Sequence, residues 1–206
     1  MKLPPKILYL DIEVALMKVY TYDLYVPSKR LRPAQIDTRK YIICWAAAWL
    51  NGENKIDGGI LSDVITQRET KTQNDKRVCQ SIFDLMNEAD FIVGHNSDSF
   101  DLKVLRWRFL KHGMGFPIVN KTFDTFKLAG KYTRPESRGL EDLSLQLGGR
   151  AKMGLDEHEW REIVEQGTPR LLAKADKYCR GDVREGVRVF KYYADAVTSA
   201  GGRLYR

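Results

Sequence analysis

Ile7-Leu8-Tyr9-Leu10-Asp11-Ile12-Glu13-Val14 is an apolar run with two carboxylates set into it. A strand buried on both faces reads as a near-continuous Val/Ile/Leu run, so acids inside one are costly without a cation or hydrogen bonds to compensate them. Side chains alternate along a strand, which puts Asp11 and Glu13 on the same face with Cα atoms roughly 6.5 Å apart. At that separation they can share one metal ion. A strand end turned to solvent explains the pair equally well, and D-x-E alone is a short pattern.

Bulk properties narrow the choice. With 206 residues, 43% of them hydrophobic, the chain can bury a substantial core, and a single domain over residues 1–206 is expected. Cys44, Cys79 and Cys179 are odd in number and widely spaced, with no C-x-x-C, which suits reduced thiols and argues against a zinc site. The run before Asp11 is too short for a signal peptide, and no apolar run approaches the ~18 residues of a membrane span. A soluble, cytoplasmic protein with no membrane partner is expected. The formal charge of +7 favours a polyanionic partner, more so because basic residues cluster at Lys29-Arg30-Leu31-Arg32, at Arg106, Arg108 and Lys111, and at Lys131 to Arg138 around Tyr132.

Working outward from the opening strand, residues 19–25 alternate apolar and polar, as a half-exposed second strand does. A basic, Pro-containing connection follows over 26–40. Residues 41–50 form a long apolar third strand ended by Asn51-Gly52, and 56–61 a further short strand. The first fifty residues therefore read as an antiparallel meander. Residues 62–75 read as a loop and helix approach, and Val78, Ile82, Leu85, Met86 and Ala89 repeat at helical spacing over 75–89. Phe91-Ile92-Val93-Gly94-His95-Asn96 is a short strand running into polar residues, followed by a helix over 97–111. Strand, polar turn and helix place Asp98 and Asp101 at the carboxyl end of a sheet, where open α/β folds keep their sites. After a loop at 113–117, Phe123-Asp124-Thr125-Phe126 opens a further element. Leu140, Leu143 and Leu147 mark a helix stopped by Gly148-Gly149, and 160–165 another. Thr168-Pro169 then starts a long helix over 171–197 whose core stripe includes Cys179, Val183, Val187 and Phe190. Tyr178 and Asp182 sit four residues apart at the margin of that stripe. Residues 201–206 read as a frayed tail.

Four acids thus stand at structurally sensible places. Carboxylates without His or Cys ligands suit hard, oxygen-loving ions, Mg²⁺ or Mn²⁺. Two such ions about 4 Å apart can activate water and stabilise the leaving oxygen of a phosphodiester.

On these residues the chain resembles the DEDD (DnaQ-like) 3′-to-5′ exonucleases. D-x-E matches Asp11-Ile12-Glu13; an Asn followed by an aromatic and an Asp matches Asn96-Ser97-Asp98-Ser99-Phe100-Asp101; and Y-x-x-x-D matches Tyr178-Cys179-Arg180-Gly181-Asp182. The motifs occur in family order over roughly residues 5 to 195. Tyr178 places the likeness in the tyrosine subclass, similar to the proofreading domains of family B and family A polymerases. The histidine subclass has His five residues before the last Asp, where this chain has Lys177.

The resemblance implies a ribonuclease H-like α/β fold, a mixed central sheet flanked by helices. It implies catalytic roles for Asp11, Glu13, Asp101, Tyr178 and Asp182. Asp11, Glu13 and Asp182 would hold one ion, Asp11 bridging to a second supported by Asp101, with Tyr178 orienting the water. Asn96, Phe100, Arg134 and Arg138 are candidates for substrate contact, although Asn96 also suits a turn, the arginines a solvated loop, and Asp98 the helix start. The implied partner is nucleic acid, single-stranded DNA 3′ ends first and RNA also compatible, with a polymerase or other replication or repair protein as companion. A stand-alone exonuclease, a separately encoded proofreading subunit, an exoribonuclease and a non-catalytic nucleic-acid-binding module all remain open at this point.

Overall fold

In a computed structural model, which describes residues 4–22, 25, 31–119, 121–151 and 154–202, the opening run forms β1 (Ile7–Val14). It is followed by β2 (Lys18–Val19), β3 (Ile36–Thr38), β4 (Ile42–Leu50) and β5 (Ile56–Val64), then α1 (Gln67–Thr72), α2 (Lys76–Glu88), β6 (Phe91–Gly94) and α3 (Asp101–Lys111). The remainder is β7 (Lys121–Asp124), α4 (Thr125–Tyr132), α5 (Leu140–Gln146), α6 (Glu157–Gln166) and α7 (Pro169–Ser199).

The central sheet has the order β5-β4-β1-β6-β7. β1 pairs antiparallel with β4 and β4 antiparallel with β5, whereas β1–β6 and β6–β7 are parallel. This is the mixed sheet flanked by helices that was expected. Its middle strand is β1, whose Leu8, Leu10 and Ile12 are buried in the core. Alternation assigns the two faces. Trp45 Nε1 donates to the Val78 carbonyl of α2 at 2.9 Å, while its neighbour Cys44 faces Cys179 of α7. Helices α2 and α3, joined by an edge-on Phe83–Phe109 contact, cover one face, and α7 crosses the other with α4 and α5 against it.

Two expectations need correction. Where a half-exposed strand was expected over 19–25, the described residues form only the two-residue β2, which takes in Val19 and pairs with β3 in a separate ribbon. Both edges of β1 are already taken, by β4 and β6, so the meander runs β1-β4-β5 and leaves Tyr20 and Tyr22 in solvent. The segment 62–75, expected as a loop and helix approach, completes β5 and then forms α1, whose start is a reciprocal cap: Glu69 N donates to Thr66 Oγ1 and Thr66 N to Glu69 Oε2. Residues 23, 24, 26–30 and 203–206 lie outside the described residues, and with them Lys29, Arg30 and the end of the expected tail.

Arg108 does not belong to a surface cluster. It is buried beside Asp75, which accepts from Arg108 Nε at 2.7 Å, from the Ile42 amide at 2.7 Å and from His112 Nε2 at 2.6 Å. Arg108 Nη1 also reaches the Lys40 carbonyl at 3.1 Å. This pair therefore ties α3 to the entry of α2 and the start of β4.

Candidate active site

β1 is longer than its parallel neighbour. The β1–β6 register ends at Tyr9↔Val93, so the amides of β1 beyond that point have no strand partner on the β6 side. Gly94 turns the chain away there: a Cβ would lie 3.2 Å from the Leu10 carbonyl and 2.5 Å from Ser97 Cβ. Asn96 follows with φ 55°, a left-handed conformation that Asn adopts more readily than most residues. The turn continues through Phe100, so α3 starts at Asp101, four residues later than the helical pattern suggests. It delivers Asp101 to the open edge of β1, where Asp101 Oδ1 accepts the Ile12 amide at 3.1 Å, between Asp11 and Glu13.

Asp101 is 4% exposed, and burial raises its carboxyl pKa despite the Ile12 amide, with the charge of Asp124 adding to the rise. Asp98, the competing acid of this turn, points elsewhere, accepting from Thr122 Oγ1 at 2.7 Å and Lys127 Nζ at 2.6 Å. Asp124 holds the turn in shape by accepting the amides of Asn96 (2.8 Å), Phe126 (3.0 Å) and Asp98 (3.3 Å). It was not among the expected site residues. Its signal is an Asp ending a strand where a helix begins.

From the other face, α7 brings the third motif. Cys179 Sγ lies 3.5 Å from both the carbonyl and Oδ2 of Asp11, and one ligand atom each of Asp11, Glu13 and Cys179 falls within 4.8 Å of the others. Tyr9, on the same face as Asp11, is the meeting point. Its hydroxyl is fully buried, and a Cβ on Gly186 would sit 1.9 Å from it, so only glycine lets α7 pack there. Burial raises its pKa well above the tyrosine norm, and the charges of Asp11, Asp101, Asp182 and Asp124 raise it further. The Asp101 contact with the Ile12 amide and the Cys179 contact with Asp11 thus bring the three motifs together near this buried phenol. Asp182 is 6% exposed. Tyr178, one turn before it, is half-buried and is braced edge-on by Trp160 of α6, with ring centroids 5.9 Å apart.

Tyr178 and Asp182 also border a cleft of about 480 Å³ lined by Arg150, Lys177, Arg184 and Arg188. Glu185, which accepts from Ser144 Oγ at 2.6 Å, pairs with Arg188 at 3.2 Å. These cations went unnoticed in the sequence, although Lys177, Arg184 and Arg188 recur at helical spacing beside the Tyr178 motif. Of the expected substrate contacts, Asn96 is exposed and serves the turn through its backbone, and Phe100 is 39% exposed with Lys40 Nζ 5.9 Å from its ring centroid. The Arg138 guanidinium stacks on Phe126 at 4.2 Å, and Phe126 stands edge-on to His95. Arg134 is exposed between α4 and α5.

The donor set fits a hard divalent cation. Asp11 and Glu13 offer carboxylate oxygens, the donors a hard ion prefers, and burial raises the pKa of the neighbouring Cys179 thiol well above its ordinary value. A second potential cluster, Asp75, Cys79 and His112, is less suited because Arg108 already occupies Asp75.

Comparison with known proteins adds three findings. Residues 38–158 match the family model of a predicted 3′-5′ exonuclease related to the exonuclease domain of PolB. A family B DNA polymerase from the hyperthermophilic archaeon Pyrobaculum calidifontis has a similar fold over 95% of this chain, with a TM-score of 0.64 and 20% identity, and the chain spans 25% of that polymerase. A comparison with curated proteins finds no match.

Proposed function

Because the chain belongs to the family of predicted 3′-5′ exonucleases related to the exonuclease domain of PolB, we propose that it hydrolyses single-stranded DNA from the 3′ end with Asp11, Glu13, Asp101, Asp182 and Tyr178 as its catalytic residues. The observation that carries the site assignment is that Asp101 Oδ1 accepts the Ile12 amide at 3.1 Å, between Asp11 and Glu13, while Cys179, inside the Tyr178–Asp182 motif, lies 3.5 Å from Asp11 Oδ2. Three segments far apart in sequence have no packing reason to bring carboxylates together, since like charges in a low-dielectric interior repel.

Asp11, Glu13 and Asp182 would hold one Mg²⁺ or Mn²⁺ ion and Asp11 with Asp101 a second. When bound, such ions lower the pKa of water and neutralise charge on the leaving oxygen. The chain's own residues do the positioning. Asp101 is held against β1 by the Ile12 amide, and Asp11 by its place on the central strand. The Tyr178 hydroxyl would orient the attacking water, its ring held against Trp160. Lys177, Arg150 and Arg184 in the adjoining cleft would meet backbone phosphates, with Asn96 and Phe100 on the turn after β6 and Arg134 and Arg138 between α4 and α5 as further substrate contacts.

All five catalytic candidates come from this chain, so it should cleave DNA without a fused polymerase. Incubating 5′-labelled single-stranded DNA with Mg²⁺ or Mn²⁺ should yield a ladder shortened from the 3′ end, abolished by EDTA. A parallel RNA oligonucleotide should be degraded more slowly, and faster loss of RNA would make the chain an exoribonuclease. Binding of DNA without metal-dependent loss of 3′ nucleotides would reject the catalytic reading in favour of a binding module.

A further inference from the structure

A second cleft, about 560 Å³ in volume, lies between α3 and the chain around the β2–β3 ribbon, away from α7. We propose that it is a binding track for the single-stranded nucleic acid behind the terminal nucleotide, an inference that rests on the exonuclease reading above. Arg39, Lys40, Lys103, Trp107 and Lys111 line it, and no carboxylate does among the described residues. Lys103, Trp107 and Lys111 stand at i, i+4 and i+8, one stripe along α3.

Two features identify the occupant. Trp107 is 64% exposed, a large apolar ring held in water between two cations of its own helix. Cation, aromatic and cation in a row match a strand whose phosphates need neutralising and whose bases offer open π faces. In a duplex those faces are already stacked on each other. The track also starts at the catalytic acids. Lys40 lies near the exposed ring of Phe100, the residue before Asp101, and α3 runs from Asp101 past Lys103 and Trp107 to Lys111. At 1.5 Å per residue this helix is about 16 Å long, room for roughly two to four nucleotides. Arg108, also in the lining, is consumed by Asp75 and takes no part.

The test measures binding separately from cleavage. Fluorescence anisotropy with fluorescein-labelled dT12 and dT3 in EDTA should show dT12 bound more tightly by the wild-type protein. Trp107→Ala, and separately Lys103→Gln with Lys111→Gln, should each weaken dT12 at least about fivefold and bring the dT12-to-dT3 affinity ratio towards one. The double lysine variant should also lower the slope of log affinity against log salt by about 1.4, at 0.7 per lost phosphate contact on a single strand. Lys71→Gln, on α1 outside the cleft, controls for lost net charge and should change the ratio little. An unchanged ratio in both cleft variants would overturn the track, as would an equal effect from Lys71→Gln. Metal-dependent cleavage of 5′-labelled DNA by the wild-type protein is read independently. Its absence would sink the catalytic reading, while length-dependent binding lost in the cleft variants would still support the track.

Discussion

At the scale of single residues, the question is which acids carry chemistry and which carry shape. Asp11 and Asp182 approach the site from different layers, a strand and a helix, with the charge of each felt at the buried Tyr9. If they hold the proposed ions, Asp11→Ala or Asp182→Ala should lower the cleavage rate roughly 10²- to 10⁴-fold, the several kcal/mol a metal supplies to the transition state, with circular dichroism unchanged. Full activity in either variant would remove that residue from the site. Trp160 makes a subtler case. Because its ring stands edge-on to that of Tyr178, Trp160→Ala should lower kcat with little change in KM, and Trp160→Phe should recover much of the loss. An effect on KM alone would mean that Trp160 contacts substrate instead. The three motifs were legible in the sequence because each is a short local pattern. Asp124 and Trp160 were not, since each acts on a residue that only folding brings near.

At the scale of elements, the buried Asp75–Arg108 pair joins three of them. Removing one partner of such a pair leaves an uncompensated charge, so Arg108→Met should destabilise the fold by about 3–5 kcal/mol in chemical denaturation. The pH dependence has a definite sign. Burial would raise the Asp75 pKa, but Arg108, the Ile42 amide and His112 outweigh it and hold the carboxyl below its ordinary value. The stability this contributes is fully present above the unfolded aspartate pKa, about 4, and is lost as pH falls through the lower folded value. Wild-type denaturation midpoints should therefore drop as the pH is lowered below about 4, and Asp75→Asn should be less stable at pH 7 with a flatter acid limb. Equal acid limbs in the two proteins would contradict this account. The sequence marked Arg108 as basic and left its burial undecided, because a cation on a helix looks the same whether it faces water or a carboxylate 33 residues away.

At the scale of the whole molecule, a formal charge of +7 coexists with a site built from acids. Arg150, Lys177 and Arg184 line the cleft beside α7, and Arg39, Lys40, Lys103 and Lys111 the one along α3, so both clefts would add a field attracting a polyanion to the centre that would cut it. Affinity for a dT12 oligonucleotide should accordingly fall linearly in log–log with salt. A flat dependence between 50 and 200 mM, roughly the range over which such contacts are lost, would exclude phosphate contacts as the main source of binding. The sequence by itself showed most of the longer strands and helices and the three acid motifs, and through those motifs the resemblance that implied the class of fold, because hydrophobic period and short motif spacing are local properties of the chain. Only the tertiary structure decided which strands make the meander, that Asp101 is held to β1 through the Ile12 amide, and that Arg108 is core rather than surface. Those outcomes depend on which edge of β1 stays free and which charge finds a partner across the fold, and neither is written in any window of neighbouring residues.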